Sequence, residues 1–156
     1  MDWLAQMWVV AAVAYAMLLG GAVGYERELK DRPAGFRTHM LVAGASALLM
    51  GVGRLMLAER LGEGSPILQM DPLRLIEAVV AGVAFIGAGT IFSQRGGRTI
   101  AGITTAASLL MVAVIGIAAG LRYHLLALAA TALALLVLTL LRKLDRPGPD
   151  GRDDPG

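Results

Sequence analysis

The side chains that could do chemistry in this sequence gather where long apolar segments end or begin. Nine of them, all charged, imidazole or hydroxyl, form a candidate site: Glu26, Arg27, Glu28, Arg37, Thr38, His39, Thr104, Thr105 and Ser108. Carboxylates beside the partly negative C-terminus of a helix favour a bound cation, and their oxygens suit a hard ion such as Mg²⁺. The first interpretation is therefore a cation site whose ligands are unassigned.

Two other interpretations use the same residues. Exposed N–H groups at the starts of two helices, with Arg37 close by, favour an anion such as phosphate or a lipid headgroup. Alternatively, Glu26 and Arg37 form an ion pair that only holds the first two helices together. For these residues taken alone, the ion pair is the favoured interpretation. His39 is expected to make a local hydrogen bond.

No motif in the sequence supports catalysis. The chain has no Ser-His-Asp spacing, no His-Glu-x-x-His pair and no phosphate-binding loop. It also has no cysteine, which excludes a thiolate nucleophile and a Cys-based metal site. We therefore expect no enzymatic activity, no cofactor other than Mg²⁺ itself, and no nucleic-acid partner.

Membrane-spanning helices must position these residues. Hydrophobic residues make up 56% of the chain, and the mean hydropathy is +0.66. Each of five apolar runs is long enough to cross about 30 Å of hydrocarbon as a helix. The predicted fold is all-α, with a transmembrane domain at 1–144 and a disordered tail at 145–156 that is rich in Pro, Gly and charge. The five helices are predicted at about 3–25, 36–58, 72–94, 99–121 and 123–143.

Basic residues outside the apolar runs fall mostly on one side of the predicted membrane. Ten Lys and Arg residues follow the first, third and fifth runs, whereas four lie on the opposite side, at Arg54, Arg60, Arg74 and Arg122. The positive-inside rule then places the N-terminus outside and the C-terminus in the cytoplasm. The nine candidate residues are thus predicted on the cytoplasmic side.

A short pattern occurs at the starts of both the second and the fourth helix. Residues 34–38 and 101–105 both follow the pattern Ala-Gly-apolar-x-Thr, 67 positions apart. This echo predicts that helices 1–2 and 3–4 form a parallel internal repeat, related by an axis near the membrane normal. The repeat would gather the candidate residues around one cytoplasmic vestibule.

Small residues let helix backbones approach closely inside a membrane. Seven glycines are expected to allow such packing: Gly20, Gly24, Gly82, Gly87, Gly89, Gly102 and Gly116. Gly87 and Gly89, separated by one residue, also indicate an irregular stretch that lines a cavity.

Four segments of this chain resemble the MgtC/SapB family, also called YhiD, of bacterial inner-membrane proteins. They are GYERE at 24–28, PAGFRTHMLV at 33–42, GVAFIGAG at 82–89 and GITTAAS at 102–108, in the family's order. The resemblance implies a five-helix, multi-pass inner-membrane protein connected with magnesium homeostasis, stress adaptation or virulence. Family members described as candidate magnesium transporters include some that resemble regulators of other membrane complexes, among them the ATP synthase.

Two departures from the family pattern qualify this resemblance. Many members carry a cytoplasmic C-terminal domain of ACT-like fold, and we expect this chain to be a short form without it. Many also have a Trp shortly after the Thr-Ala-Ala segment, where this chain has Leu110, which weakens any link to the virulence branch.

The residues and the resemblance together predict a regulator that acts through membrane partners. We expect contact with the lipid bilayer, with other membrane proteins and with further copies of the chain, a dimer being favoured. The alternative is a transporter or channel for Mg²⁺ or a small solute. A buried, water-accessible Glu26 would favour transport, whereas a paired Glu26 in a closed bundle would favour partnership.

Overall fold

A computed structural model of the chain describes residues 3–62, 71–92 and 102–144. These residues form five α-helices: α1 Trp3–Glu28, α2 Phe36–Gly62, α3 Pro72–Phe92, α4 Ile103–Gly120 and α5 His124–Leu144. The described ranges contain no strand, and the prediction of an all-α fold with five helices is confirmed. Helices α1 to α4 are each long and apolar enough to cross a membrane, and α5 adds a shorter apolar stretch, His124–Leu140.

Several helix ends differ from the predicted ones by a few residues. Helix α1 continues to Glu28, so the candidate carboxylates lie within its last turns. Helix α4 begins after Gly102, whose φ of 94° is a left-handed conformation that a right-handed helix does not contain. Helix α3 starts at Pro72, as predicted, and the Leu73 N–H donates to Asp71 Oδ1 (2.9 Å). The predicted tail at 145–156 lies outside the described residues.

Helix α4 is the centre of the bundle. It contacts the other four helices, while α1 and α2 form a closely packed pair beside it. Within the described residues α3 packs on α2 and α4, and α5 packs on α1 and α4. Burial follows this arrangement: 61% of the apolar span of α4 is buried inside the bundle, whereas only 17% of the α3 span is buried. The side chains of Leu109, Val112 and Ile115 on α4 are completely enclosed.

Glycines hold α1, α2 and α4 close together. A Cβ atom added to Gly20 would lie 2.7 Å from the carbonyl oxygen of His39, and one on Gly24 would lie 2.8 Å from Phe36 Cα. On α4, a Cβ at Gly116 would lie 2.2 Å from the carbonyl oxygen of Ala43. All three distances are shorter than a van der Waals contact, so any larger residue must push these helices apart.

The glycines around α3 divide into two groups. A Cβ on Gly87 would lie 3.2 Å from Ala106 Cβ, and one on Gly102 would lie 2.8 Å from the carbonyl oxygen of Thr90. We expected Gly82 and Gly89 to lie against a neighbouring helix as well. In the described structure both face open space, with no atom within 4 Å of an added Cβ, because this face of α3 points away from α2 and α4.

The two ends of the bundle are named here by their residues. The Glu26 end holds the end of α1, the starts of α2 and α4, and the ends of α3 and α5. The Arg54 end holds the opposite termini of the same helices, including the short turn between α4 and α5.

Candidate functional site

A buried charged cluster closes the Glu26 end of the bundle. Glu26 and Arg27 lie near the end of α1, and their side chains are 10% and 5% exposed. The Lys30 ammonium forms an ion pair with Glu26 Oε1, and Arg27 lies 4.0 Å from Glu26 Oε2. No other donor in the described residues makes a hydrogen bond to this carboxylate. Its charge is therefore balanced by two neighbours in its own segment of the chain.

The predicted ion pair between Glu26 and Arg37 is wrong. Arg37 is exposed at the start of α2, and it forms no ion pair with any residue that the structure describes. Lys30 takes the expected place because it lies four residues after Glu26, the spacing at which a Glu and a following Lys meet on a helix. The neighbouring carboxylate, Glu28, is exposed and accepts a hydrogen bond from the Phe36 N–H (2.7 Å) at the start of α2.

Lys30 also ties this cluster to the last helix. Its ammonium donates to the carbonyl oxygen of Leu138 on α5, at 3.0 Å. The side chain is 19% exposed, so it lies largely within the bundle. Lys30 was absent from the predicted site, although its spacing from Glu26 was a usable signal.

His39 links the starts of α2 and α4. The residue is completely buried, and its Nδ1 lies 2.9 Å from the carbonyl oxygen of Gly35. Because that oxygen can only accept a hydrogen bond, Nδ1 must carry the proton. The other ring nitrogen, Nε2, lies 3.0 Å from Ser108 Oγ, which is also 2.8 Å from the carbonyl oxygen of Thr105. The imidazole thus joins two helices, as its buried hydrogen-bonding groups require.

The candidate residues divide into a buried group and a surface group. Arg27 extends the buried group to α4, since its Nη2 donates to Thr105 Oγ1 at 3.4 Å. The buried candidates and the half-buried Lys30 are together named here the polar cluster: Glu26, Arg27, Lys30, His39, Thr105 and Ser108. Glu28, Arg37 and Thr104 are exposed, and Thr38 is half-buried.

An apolar cavity of about 210 Å³ lies next to the polar cluster, between α1, α4 and α5. Val23, Met111 and Val137 supply much of its lining, and Thr104 and Ser108 are its polar residues. No carboxylate is among its lining residues. The described residues thus show a packed polar cluster and an adjacent apolar cavity, and the cytoplasmic vestibule stays a prediction.

No group of three or more His, Cys, Asp or Glu residues that could hold a metal ion occurs within the described ranges. The polar cluster instead contains two cations for one buried carboxylate. Its hydrogen bonds and ion pairs connect α1, α2, α4 and α5 at one end of the bundle.

The long apolar helices define a multi-pass membrane protein. The sequence model of the MgtC family matches residues 13–147, and the chain belongs to this family. It is 37% identical to YhiD of Escherichia coli K12, over 87% of this chain and 59% of the relative. It is 36% identical to MgtC of Brucella abortus (92% and 56%) and 33% identical to SapB of Bacillus subtilis (96% and 64%).

These relatives are longer than the part that matches. A protein of Haemophilus influenzae is also 36% identical to the chain. The chain spans between 55% and 64% of the length of these four relatives. No solved structure matches the chain significantly.

Proposed function

We propose that this chain serves magnesium homeostasis or stress adaptation as a regulator that acts through membrane partners. The connection with magnesium comes from its relatives, since the Escherichia coli K12 protein is named as a candidate magnesium transporter. The partners in this proposal are other membrane proteins and a second copy of the chain. No cofactor and no enzymatic step are involved.

The charge balance around Glu26 is the observation that carries this proposal. Mg²⁺ binds where several oxygen ligands supply negative charge and where it can keep part of its water shell. Glu26 is instead packed against Arg27 and Lys30, and it is about nine-tenths buried. A divalent cation would have to displace the Lys30 ammonium and remain beside the Arg27 guanidinium. This arrangement supports a structural role for the carboxylate.

The outer face of α3 supports the partnership. Gly82 and Gly89 lie on it without a neighbour in the described structure, and Phe85 between them is 83% exposed. Glycines on a lipid-facing helix allow the backbone of another helix to approach closely. A second membrane protein or a second copy could pack there without any rearrangement of the bundle.

The alternative function is a transporter or channel for Mg²⁺ or a small solute. Its supporting observation is the buried carboxylate itself, because ionisable residues are costly near the membrane interior and are usually retained for a function. In that case the Glu26 charge is a ligand, and the ion pair with Lys30 must open during transport.

A growth experiment distinguishes the two functions. In a strain that depends on this protein at low magnesium, the double variant Glu26→Gln with Lys30→Gln is expected to restore growth as well as the wild type. It removes the two charges of this ion pair together, so neither the Glu26 carboxylate nor the Lys30 ammonium remains without the other. Arg37→Gln, which changes an exposed charge at the same end, is the matched control. A double variant that reaches normal membrane levels but does not restore growth would favour the carrier.

The proposed orientation places the Glu26 end in the cytoplasm. It rests on the ten-to-four division of basic residues, and the native chain has no cysteine to interfere with labelling. Both Glu59 and Arg32 are exposed, at the Arg54 end and the Glu26 end respectively. A membrane-impermeant thiol reagent added to whole cells is expected to label Glu59→Cys and to leave Arg32→Cys unlabelled. Labelling of Arg32→Cys alone would contradict the orientation.

The parallel internal repeat is part of this proposal. In support, α2 begins one residue after Gly35 and α4 begins one residue after Gly102, the matching positions of the repeated pattern. The two starts differ locally, since Gly102 alone of the two has a positive φ.

A further inference from the structure

A second cavity lies at the Arg54 end, far from the polar cluster. It has a volume of about 150 Å³ and opens between the start of α1, the end of α2 and the turn between α4 and α5. Its lining includes Trp8, Val9, Leu55 and two arginines, Arg54 and Arg122. The volume is several times the roughly 30 Å³ that one water molecule occupies, so the cavity has room for a small polar group.

The two arginines give the cavity a positive charge. No acidic residue is among its lining residues, and neither arginine forms an ion pair with a carboxylate that the structure describes. Arg54 is half-buried, and its Nη1 donates to the carbonyl oxygen of Gly120 at 3.3 Å. A guanidinium has five N–H donors, so most of its hydrogen-bonding capacity is left for a ligand.

Arg122 is held in place by its backbone and by an aromatic ring. It has a φ of 68°, a conformation that non-glycine residues seldom adopt, in the turn that follows α4. Its guanidinium carbon lies 5.4 Å from the centroid of the Trp8 ring, within the range of a cation–π contact. The backbone conformation of Arg122 belongs to the cap of α4, in which the Tyr123 N–H donates to the carbonyl oxygen of Ala118 (2.8 Å) and the Arg122 N–H donates to that of Ala119 (3.0 Å).

The depth of the cavity suits the headgroup region of a membrane. Gly120, the last residue of α4, and the following turn form part of its wall, so the cavity lies where the helices leave the hydrocarbon. Trp8 is 63% exposed beside it, and tryptophan prefers this interfacial level. Lipid phosphates lie at the same level, with their acyl chains directed along the helices.

We propose that this cavity binds a phosphate group, supplied by the headgroup of a membrane phospholipid. The two guanidiniums would donate charge-assisted hydrogen bonds to the phosphate oxygens. The apolar lining residues on α1 and α2, Val9 and Leu55, would contact the glycerol and the first carbons of the acyl chains. A lipid held there would join the first two helices to the α4–α5 turn.

The experiment uses Trp8 as the reporter. The chain has two tryptophans, Trp3 and Trp8, so Trp3→Phe leaves Trp8, next to Arg122, as the single tryptophan. The purified protein in detergent is titrated with dihexanoyl phosphatidylglycerol, with dihexanoylglycerol, which lacks the phosphate, and with inorganic phosphate. The phosphatidylglycerol titration is expected to saturate, and the uncharged lipid is expected to give no saturable change.

Variants then test the arginines. Arg54→Gln combined with Arg122→Asn should weaken lipid binding at least tenfold, and asparagine is chosen because it tolerates a positive φ. Arg32→Gln combined with Arg37→Gln removes two exposed charges at the other end and should leave binding unchanged. If the first double variant does not fold, Arg122→Asn alone is expected to weaken binding several-fold.

The outcomes separate the sources of the phosphate. If inorganic phosphate saturates the signal at the same concentration as the lipid does, the cavity is a phosphate site, and its ligand is the free ion. Equal binding of the lipid to the wild type and to the arginine variants would overturn the proposal. Equal binding of the uncharged lipid would overturn it as well.

Discussion

Replacing Gly116 with alanine is expected to destabilise the folded bundle by about 3 kcal/mol, toward the upper end of the usual cost of overpacking. The added Cβ would lie 2.2 Å from the carbonyl oxygen of Ala43 and 2.9 Å from Ser46 Cβ. The nearest atom belongs to the backbone of α2, which cannot move away by changing a rotamer. Helix α4 must therefore shift, and as the central helix it disturbs its contacts with all the others.

Thermal unfolding in detergent, followed by circular dichroism, measures this effect. Gly82→Ala is the matched control, because it adds the same methyl group to another helix where no atom lies within 4 Å. Its melting temperature should stay unchanged or rise slightly, since alanine favours a helix more than glycine does. Equal losses in the two variants would contradict the packing described for α4.

Replacing Lys30 with glutamine is expected to cost on the order of 2 kcal/mol, because it leaves the buried Glu26 carboxylate with a single nearby cation. The same change removes the hydrogen bond from the ammonium to the carbonyl oxygen of Leu138. Loosening of α5 from α1 should accompany the loss of stability. Adding Glu26→Gln should recover part of the loss, because the buried carboxylate that Lys30 balanced is then no longer charged.

Arg37→Gln is the matched control for this prediction. It also removes one positive charge at the Glu26 end, but from an exposed side chain without an ion pair in the described residues. Its melting temperature should change little. If Arg37→Gln destabilises the protein more than Lys30→Gln does, the assignment of the ion pair is wrong.

The sequence predicted the helices well because a bilayer imposes a simple rule. An apolar run long enough to cross the hydrocarbon must satisfy its backbone internally, and five such runs therefore give five helices. The helix ends were harder to place, because they depend on local geometry. Neither the left-handed backbone at Gly102 nor the continuation of α1 to Glu28 follows from the lengths of the apolar runs.

The candidate site was predicted in outline only. The polar end of the bundle could be predicted from the types of residue at 26–28, 37–39 and 104–108. The ion-pair partner of each charged side chain could not, because several oppositely charged residues lie nearby in the sequence. Both Lys30 and Arg37 follow Glu26 closely in the sequence, so either could be its partner. Lys30 forms the ion pair, since it lies four residues after Glu26, the spacing of one helical turn. The contact between His39 and Ser108, which are 69 residues apart, depends on how α2 and α4 pack. Spacing along the chain contains no such information.

The same limit applies to the glycines. Gly82, Gly89 and Gly116 are alike in sequence, each within an apolar helix and close to other small residues. Which of them faces a neighbouring helix depends on the position of α4 at the centre and of α3 at the edge. Periodicity identifies a face of a helix, whereas tertiary packing decides what lies against it.

We propose that this chain regulates membrane partners and does not itself carry Mg²⁺. Magnesium flux into proteoliposomes that contain only the purified chain, measured with an entrapped Mg²⁺ indicator, tests this proposal. Wild-type vesicles are expected to show the same flux as protein-free vesicles, and Glu26→Gln is expected to leave that flux unchanged. Saturable Mg²⁺ entry that requires the wild-type protein and is lost in Glu26→Gln would contradict the claim.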